Sequence, residues 1–150
     1  MMFFILIGAL LFSNFVNLAG LPSDLSGFIN ALDVAPIVVL LAILGIYLLL
    51  GMVLESLSMV LLTVPIFYPI VGSLGFDLIW FGIIVVVVTE ISLITPPVGL
   101  NVVVLNTVLK DVPIATIFRG VTPFIVADII RLLILVALPG LVLALPHSMR

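Results

Sequence analysis

The sequence predicts an all-α polytopic membrane protein, and three observations lead to this fold class. Of the 150 residues, 65% are apolar and only 7% are charged, whereas soluble domains are about half apolar and a quarter charged. The mean hydropathy is +1.66, and several apolar runs approach the roughly 20 residues that a helix needs to cross the hydrocarbon layer. Alternation of apolar and polar residues with a period of two is absent, which argues against a transmembrane barrel.

The first element is an apolar run that we expect to form a transmembrane helix over residues 1–19. It does not resemble a cleavable signal peptide, because no basic residue precedes it. Residues 20–35 are more polar and are expected to form an external loop with an interfacial helix, for which Ser23 and Asp24 are candidate N-caps. An ordinary loop with one helical turn is the alternative. The apolar positions that recur at helical spacing in this segment are Leu25, Phe28, Ile29 and Leu32.

The next apolar segment, residues 36–71, is too long for one span and contains a polar break at Glu55, Ser56 and Ser58. Two apolar arms joined by a polar turn predict a re-entrant hairpin whose tip is buried in protein or faces a water-filled cavity. Thr63 follows in the second arm. A pair of ordinary helical spans joined by a tight loop is the alternative, in which Glu55 is an interfacial residue.

Residues 78–109 would make a straight helix of about 50 Å at roughly 1.5 Å per residue, which is longer than one bilayer crossing. The stretch ITPPVGLN interrupts this segment. Its two prolines have no backbone N–H, so the carbonyls of Ser92 and Leu93 are expected to lose their helical partners. Residues before prolines also disfavour α geometry. We therefore predict a broken transmembrane helix that ends near Ile94 and resumes near Val98.

The carbonyls released at this break need new partners, because an unpaired backbone group in hydrocarbon costs several kcal/mol. The Thr95 hydroxyl, the Asn101 amide oxygen and the flexible backbone at Gly99 surround the break. Neutral oxygens that converge with helix C-terminal carbonyls suit a dehydrated Na⁺, while the N-terminus of the second half-helix suits an anionic substrate. A proline kink that neighbouring helices satisfy is the alternative.

Charged residues are few in the second half of the chain. Glu90 has no basic neighbour in sequence, and it is either a structural or interfacial carboxyl or part of a proton or ion relay. Residues 121–145 are expected to form a C-terminal transmembrane helix. Asp128 and Arg131 stand one turn apart in that helix and are predicted to form an ion pair.

Basic residues also predict the orientation of the chain in the membrane. Lys110 and Arg119 flank a short connection, the place where basic residues cluster. The positive-inside rule predicts that this connection is cytoplasmic, which leaves residues 20–34 and 72–77 outside.

Three ordered motifs, LTVPIFYPI, GFDLIWFG and ITPPVGLN, carry a resemblance to the large membrane (permease) subunit of tripartite ATP-independent periplasmic (TRAP) transporters, specifically to its C-terminal portion. The resemblance covers essentially the whole chain. It implies one half of an inverted-repeat, elevator-type secondary transporter, a multi-pass protein of the bacterial inner membrane. Such a protein takes up organic acids, dicarboxylates among them, by symport with Na⁺. The implied partners are the remaining N-terminal half of the large subunit, the small membrane subunit and a periplasmic substrate-binding protein.

By this resemblance Glu55 to Ser58 form the hairpin tip, and the unwound helix from Thr95 to Asn101 faces it. Ser92 stands where a glycine is expected before LITPP, and its hydroxyl either tightens the site or has no effect. Ligands of Na⁺, the coupling ion, are expected at Thr95, Gly99 and Asn101, and no other cofactor is expected. The residues implied to line the ion or substrate site are Glu55, Ser56, Ser58, Thr63, Ser92, Thr95, Pro96, Pro97, Gly99 and Asn101.

Other classes of function fit the sequence less well. The chief rival is a truncated or structural membrane fragment without transport activity of its own, because the first of the two implied repeats is missing from this sequence. A membrane-embedded enzyme such as a hydrolase is disfavoured, since the chain has no cysteine and a single histidine. Nucleic-acid binding is not indicated, because the net charge is −3 and no basic stripe is present.

Overall fold

The computed structural model describes residues 2–148, which form eight α-helices and no strand. These helices are α1 Met2–Leu18, α2 Leu21–Ala31, α3 Pro36–Gly51, α4 Ser56–Ser73, α5 Leu78–Ile94, α6 Leu100–Val108, α7 Ile114–Ala137 and α8 Pro139–Ser148. By length and composition, α4 and α7 are the described helices that can each cross a membrane, and α1 with α2 forms a third candidate span bent by 56°. The predicted class, an all-α membrane protein, is confirmed.

Helix α5 lies at the centre of the bundle and packs against α3, α4 and α7. Its buried side chains, among them Trp80 and Phe81, join those of α3 and α4 in one hydrophobic core. Asp77 caps α5, because its carboxylate accepts hydrogen bonds from the backbone N–H groups of Ile79 and Trp80 at 2.8 and 3.1 Å. The Trp80 indole N–H donates to the Leu135 carbonyl at 2.9 Å, which ties the start of α5 to α7.

Helices α3 and α5 run in the same direction, because α4 returns the chain across the bundle between them. Leu48 of α3 shares a groove with Val88 and Ile91 of α5. Three residues further along α3, Gly51 lies against Ser92 of α5. The C-terminal ends of both helices therefore lie at one end of the bundle, where α4 begins and where α5 is interrupted.

Helix α2 begins earlier than the polar segment alone predicts. The prediction that Ser23 or Asp24 is the N-cap of this helix is wrong, since α2 starts at Leu21 and both residues lie in its first turn. The Ser23 hydroxyl donates to the Gly20 carbonyl at 2.6 Å, and the Asp24 backbone N–H donates to the same carbonyl at 3.0 Å. Gly20 has a φ of +74°, which lets the chain turn between α1 and α2 without a longer loop.

The four apolar residues that recur at helical spacing in and just after α2 divide into two pairs. Leu25 and Ile29 are partly buried and pack against the core. Phe28 and Leu32 are 64% and 54% exposed, so they are available to lipid or to another protein segment. The interfacial placement of α2 stays a prediction.

The apolar run 121–145 is divided between α7 and α8. Helix α7 already begins at Ile114, and Leu138 leaves helical geometry with φ −123° and ψ 70°. Leu138 precedes a proline, whose ring disfavours α geometry in the residue before it. Arg119 consequently lies inside α7, so the connection between α6 and α7 comprises only residues 109–113.

The predicted ion pair on α7 is confirmed. The guanidinium Nη2 of Arg131 lies 3.1 Å from the Asp128 carboxylate Oδ1, at i, i+3 spacing. Because each group compensates the charge of the other, α7 carries both through an apolar helix at a lower desolvation cost than either alone.

Candidate functional site

The polar break between α3 and α4 is organised around one carboxylate. Glu55 is the N-cap of α4, and its two carboxylate oxygens accept hydrogen bonds from the backbone N–H groups of Leu57 and Ser58, each at 3.0 Å. The Ser58 hydroxyl donates to the same carboxylate at 3.0 Å. Glu55 therefore neutralises the positive end of the α4 dipole from within the chain.

The second interruption follows α5, which ends at Ile94. Thr95 adopts an extended conformation with φ −84° and ψ 135°. Its hydroxyl donates to the Ile91 carbonyl at 2.6 Å. Its backbone N–H donates to the Ser92 carbonyl at 3.3 Å. The Ser92 carbonyl cannot accept a bond from Pro96, which has no N–H, but it is not left unpaired, because the last turn of α5 tightens and supplies the Thr95 N–H as a donor three residues later.

Gly99 returns the chain to helical geometry at the start of α6. It has a φ of +51°, in the left-handed region that favours glycine. A Cβ at this position would lie 3.3 Å from the Thr95 carbonyl oxygen and 3.2 Å from the Phe118 ring. Glycine therefore lets the backbone fold closely over the end of α5. Between the two helices Pro96 and Pro97 are exposed and joined by a cis peptide bond.

The two interruptions are brought together by one buried contact. Ser92 is fully buried, and its hydroxyl donates to the Thr89 carbonyl. Its side chain lies against Gly51 at the end of α3, where a Cβ would be only 2.6 Å from Ser92 Cβ and 3.3 Å from the sulfur of Met59. The polar turn after α3 and the break after α5 are thus neighbours.

The hydroxyl groups of the site share a hydrogen-bonding pattern. Thr63, Thr89 and Thr95 each donate to the carbonyl four residues earlier in the chain, at 2.6 to 2.7 Å. A hydroxyl that donates its proton in this way keeps its oxygen lone pairs free to accept a hydrogen bond or to bind a cation. Such oxygens can bind a cation or a hydrogen-bond donor of the substrate.

Sequence reasoning missed two polar residues that the structure buries. Tyr47 of α3 is fully buried, and its hydroxyl has no hydrogen-bond partner among the described residues. Thr89 is also buried, one turn before Ser92 on the same face of α5. The i, i+3 spacing of Thr89 and Ser92 indicates that both residues lie on one face of the helix, so this pair could have been found from the sequence. A single tyrosine in an apolar helix gives no such indication.

A groove between α4 and α5 adds a polar surface beside the hairpin turn. It encloses about 260 Å³ and contains the side chains of Ser56, Thr89 and Glu90 among apolar neighbours. Glu90 is exposed. No described basic side chain forms an ion pair with it.

The predicted site residues do not form a single cluster. Glu55, Ser56 and Ser58 lie together at the start of α4, and Thr95 and Gly99 lie together at the break. Asn101 is exposed on α6, while Thr63 is buried inside the bundle. Among the side chains that the structure describes, no group of three His, Asp or Glu residues could hold a metal ion.

The fold and this pair of adjoining helix interruptions define an integral membrane protein of the broken-helix class, which includes secondary transporters. Comparison with protein families specifies the class further. The chain belongs to the family described as "Tripartite ATP-independent periplasmic transporter, DctM component", whose model matches residues 1–141. The predicted family is confirmed.

Individual relatives are permeases named for different substrates. The chain is 35% identical to the C4-dicarboxylate TRAP transporter large permease protein DctM of Pseudomonas aeruginosa over 98% of this chain and 34% of that protein. It is 34% identical to the sialic acid TRAP transporter large permease protein SiaM of Vibrio cholerae over 93% of this chain and 33% of that protein. The 2,3-diketo-L-gulonate TRAP transporter large permease protein YiaN of Escherichia coli is 30% identical over 85% of this chain and 30% of that protein. The chain spans about a third of the length of these relatives.

Proposed function

We propose that this chain is the C-terminal portion of the large permease subunit of a Na⁺-coupled secondary transporter that takes up an organic acid across the bacterial inner membrane. The remaining N-terminal part of the large subunit, a small membrane subunit and a periplasmic substrate-binding protein complete the transporter. The relatives support this proposal, since each is a TRAP permease and all three are named for carboxylic acids, namely a C4-dicarboxylate, sialic acid and 2,3-diketo-L-gulonate. Transport, and not catalysis, is the activity of this class of protein.

The observation that carries the proposal is the juxtaposition of two helix interruptions at one end of the bundle. Helices α3 and α5 end side by side there, as the contact between Gly51 and Ser92 shows. Each helix C-terminus presents carbonyl oxygens with negative partial charge. Together with the lone pairs of the Thr95 hydroxyl they form a neutral oxygen environment that suits Na⁺.

The anionic substrate belongs at the start of α6. The N-terminus of α4 is already occupied by the Glu55 carboxylate, whereas α6 begins at Gly99 without a side-chain cap. The backbone N–H groups at the start of α6 are therefore the ones that can donate to a substrate carboxylate. Asn101 lies in this first turn and offers an amide to the same ligand.

Uptake by the reconstituted transporter tests the proposal. The large permease that contains this chain is placed in liposomes with its small subunit, and the binding protein is supplied outside. We expect accumulation of a labelled C4-dicarboxylate or sialic acid when an inward Na⁺ gradient is imposed, and none with K⁺ in place of Na⁺. A sugar without a carboxylate is the control substrate. Equal uptake of acid with and without the Na⁺ gradient contradicts the proposed coupling.

The rival proposal, a structural membrane fragment without ion binding, makes a different prediction for the isolated chain. It predicts that the thermal unfolding midpoint in detergent is the same in NaCl and in KCl. A midpoint that rises with NaCl alone supports an ion site within these residues, because a ligand that binds only the folded state stabilises it.

A further inference from the structure

The closest approach between two helices near the candidate site involves Gly51 and Ser92. A Cβ on Gly51 would stand 2.6 Å from Ser92 Cβ and closer still to Ser92 Oγ. Real Cβ atoms do not approach other heavy atoms within about 3 Å, so any residue larger than glycine forces the two helices apart. Ser92 cannot move aside, because it is fully buried and its hydroxyl is held by the Thr89 carbonyl.

This crowding is confined to the last turn of α3. Gly45 lies on the same helix, and a Cβ placed there would have no heavy atom within 4 Å. Met59 of α4 closes the contact from the third side, with its sulfur 3.3 Å from the same Cβ position on Gly51. Three helices therefore meet at Gly51 directly before the polar turn.

We propose that Gly51 is a positioning residue that sets the spacing between the α3–α4 turn, residues 52–55, and the α5–α6 break, residues 95–99. This inference rests on the proposed function. Gly51 immediately precedes the turn, and Ser92 stands three residues before Thr95. Because helices are stiff, a displacement at Gly51 moves both interruptions relative to each other and separates the oxygens that bind the ion.

Four variants of the assembled transporter test this role. Gly51→Ala is expected to raise the Na⁺ concentration for half-maximal uptake by at least ~10-fold, since a misplacement of about 1 Å at a preorganised site costs up to about 100-fold. Gly45→Ala, on the same helix, is expected to leave uptake unchanged. Ser92→Gly removes the obstructing side chain. The double variant Gly51→Ala with Ser92→Gly is expected to return the Na⁺ dependence to within about twofold of Ser92→Gly alone.

A purely structural role for Gly51 predicts another outcome. In that case Gly51→Ala lowers the amount of transporter in the membrane, but the molecules that remain show the wild-type Na⁺ dependence, and this result overturns the proposal. Ser92→Thr enlarges the opposite side of the same contact. This variant replaces Gly51→Ala in the test if Gly51→Ala does not assemble. It is expected to raise the half-maximal Na⁺ concentration at normal abundance, and a wild-type Na⁺ dependence in this variant also overturns the proposal.

A distance measurement separates this inference from the proposed function. Spin labels are attached to cysteines introduced at two exposed positions, Leu57 just after the α3–α4 turn and Val98 within the α5–α6 break. Gly51→Ala is expected to shift the label separation relative to the parent chain, and the double variant is expected to restore it, whether or not the protein transports. An unchanged separation in Gly51→Ala refutes the positioning role even where Na⁺-driven uptake has been demonstrated.

Discussion

At the scale of single residues, the threonine hydroxyls near the candidate site already donate their protons to backbone carbonyls. The Thr95 hydroxyl donates to the Ile91 carbonyl at 2.6 Å, so it faces any ligand only as an acceptor. Asn101 differs, because it is exposed and its amide offers both an oxygen and two N–H donors. Thr95 therefore suits a cation, whereas Asn101 can also bind an anionic substrate.

Truncation of either side chain tests this assignment. Thr95→Ala and Asn101→Ala are each expected to raise the Na⁺ concentration for half-maximal transport, because one lost ligand is worth about 1–3 kcal/mol, or roughly 5- to 150-fold. Thr107→Ala and Asn106→Ala on the same stretch of chain are the matched controls. Uptake is measured against Na⁺ concentration at equal protein abundance. If both variants keep the wild-type Na⁺ dependence, the break is only a proline kink.

The capping carboxylate of α5 has a structural role that can be measured separately. Asp77 accepts two backbone hydrogen bonds, from Ile79 and Trp80. Asp77→Ala is expected to lower the free energy of unfolding in detergent by about 1 kcal/mol, while Asp77→Asn retains most of the cap. Asp111→Ala, in the exposed connection after α6, is the control. Equal losses in the alanine and asparagine variants would show that the charge matters more than the cap.

At the scale of elements, the break between α5 and α6 is what distinguishes this segment from an ordinary span. Replacing both Pro96 and Pro97 with alanine restores two N–H donors, which can bond to the Ser92 and Leu93 carbonyls and continue the helix. We expect the chain to become no less stable. We also expect Na⁺-driven uptake to be lost, because a continuous helix consumes the carbonyls proposed for the ion.

A matched substitution controls for the general effect of removing a proline. Pro123 lies inside α7 and does not interrupt it, and Pro123→Ala is expected to leave transport unchanged. Insertion and assembly are followed by membrane abundance and thermal unfolding, and function by uptake. Normal uptake in the double alanine variant would mean that the interruption is a packing kink.

At the scale of the whole molecule, orientation in the membrane depends on few charges. Lys110 remains in the connection between α6 and α7, but Arg119 lies inside α7, so the basic cluster is more dispersed than the sequence predicted. The positive-inside rule still predicts that this connection is cytoplasmic. The turn before α5 is then expected on the opposite side.

Cysteine labelling tests this orientation. A Ser73→Cys variant is expected to react with a membrane-impermeant maleimide added outside, and an Asp111→Cys variant only after the membrane is permeabilised. This sequence contains no cysteine, so each introduced cysteine is the only labelling site within it. The reverse pattern would invert the proposed topology.

The sequence by itself determined the membrane class and the position of the break. Both follow from local physics, since apolar runs need a hydrocarbon environment and two prolines cannot continue a helix. The three family motifs also lie in contiguous stretches, so the family could be identified without a fold. Element bounds were less accurate where a local turn or a proline decided them, as at Gly20 before α2 and at Leu138 before Pro139.

The family resemblance implied that the two interrupted segments face each other, but only the tertiary structure decided which residues come into contact. Gly51 and Ser92 are 41 positions apart in the chain, and nothing in either local stretch predicts that they touch. The contact exists because α3 and α5 run parallel around a shared core, so their C-terminal ends lie at the same end of the bundle. The burial of Tyr47 and Thr89 has the same origin, because packing between helices, not local composition, determines which polar side chains become enclosed.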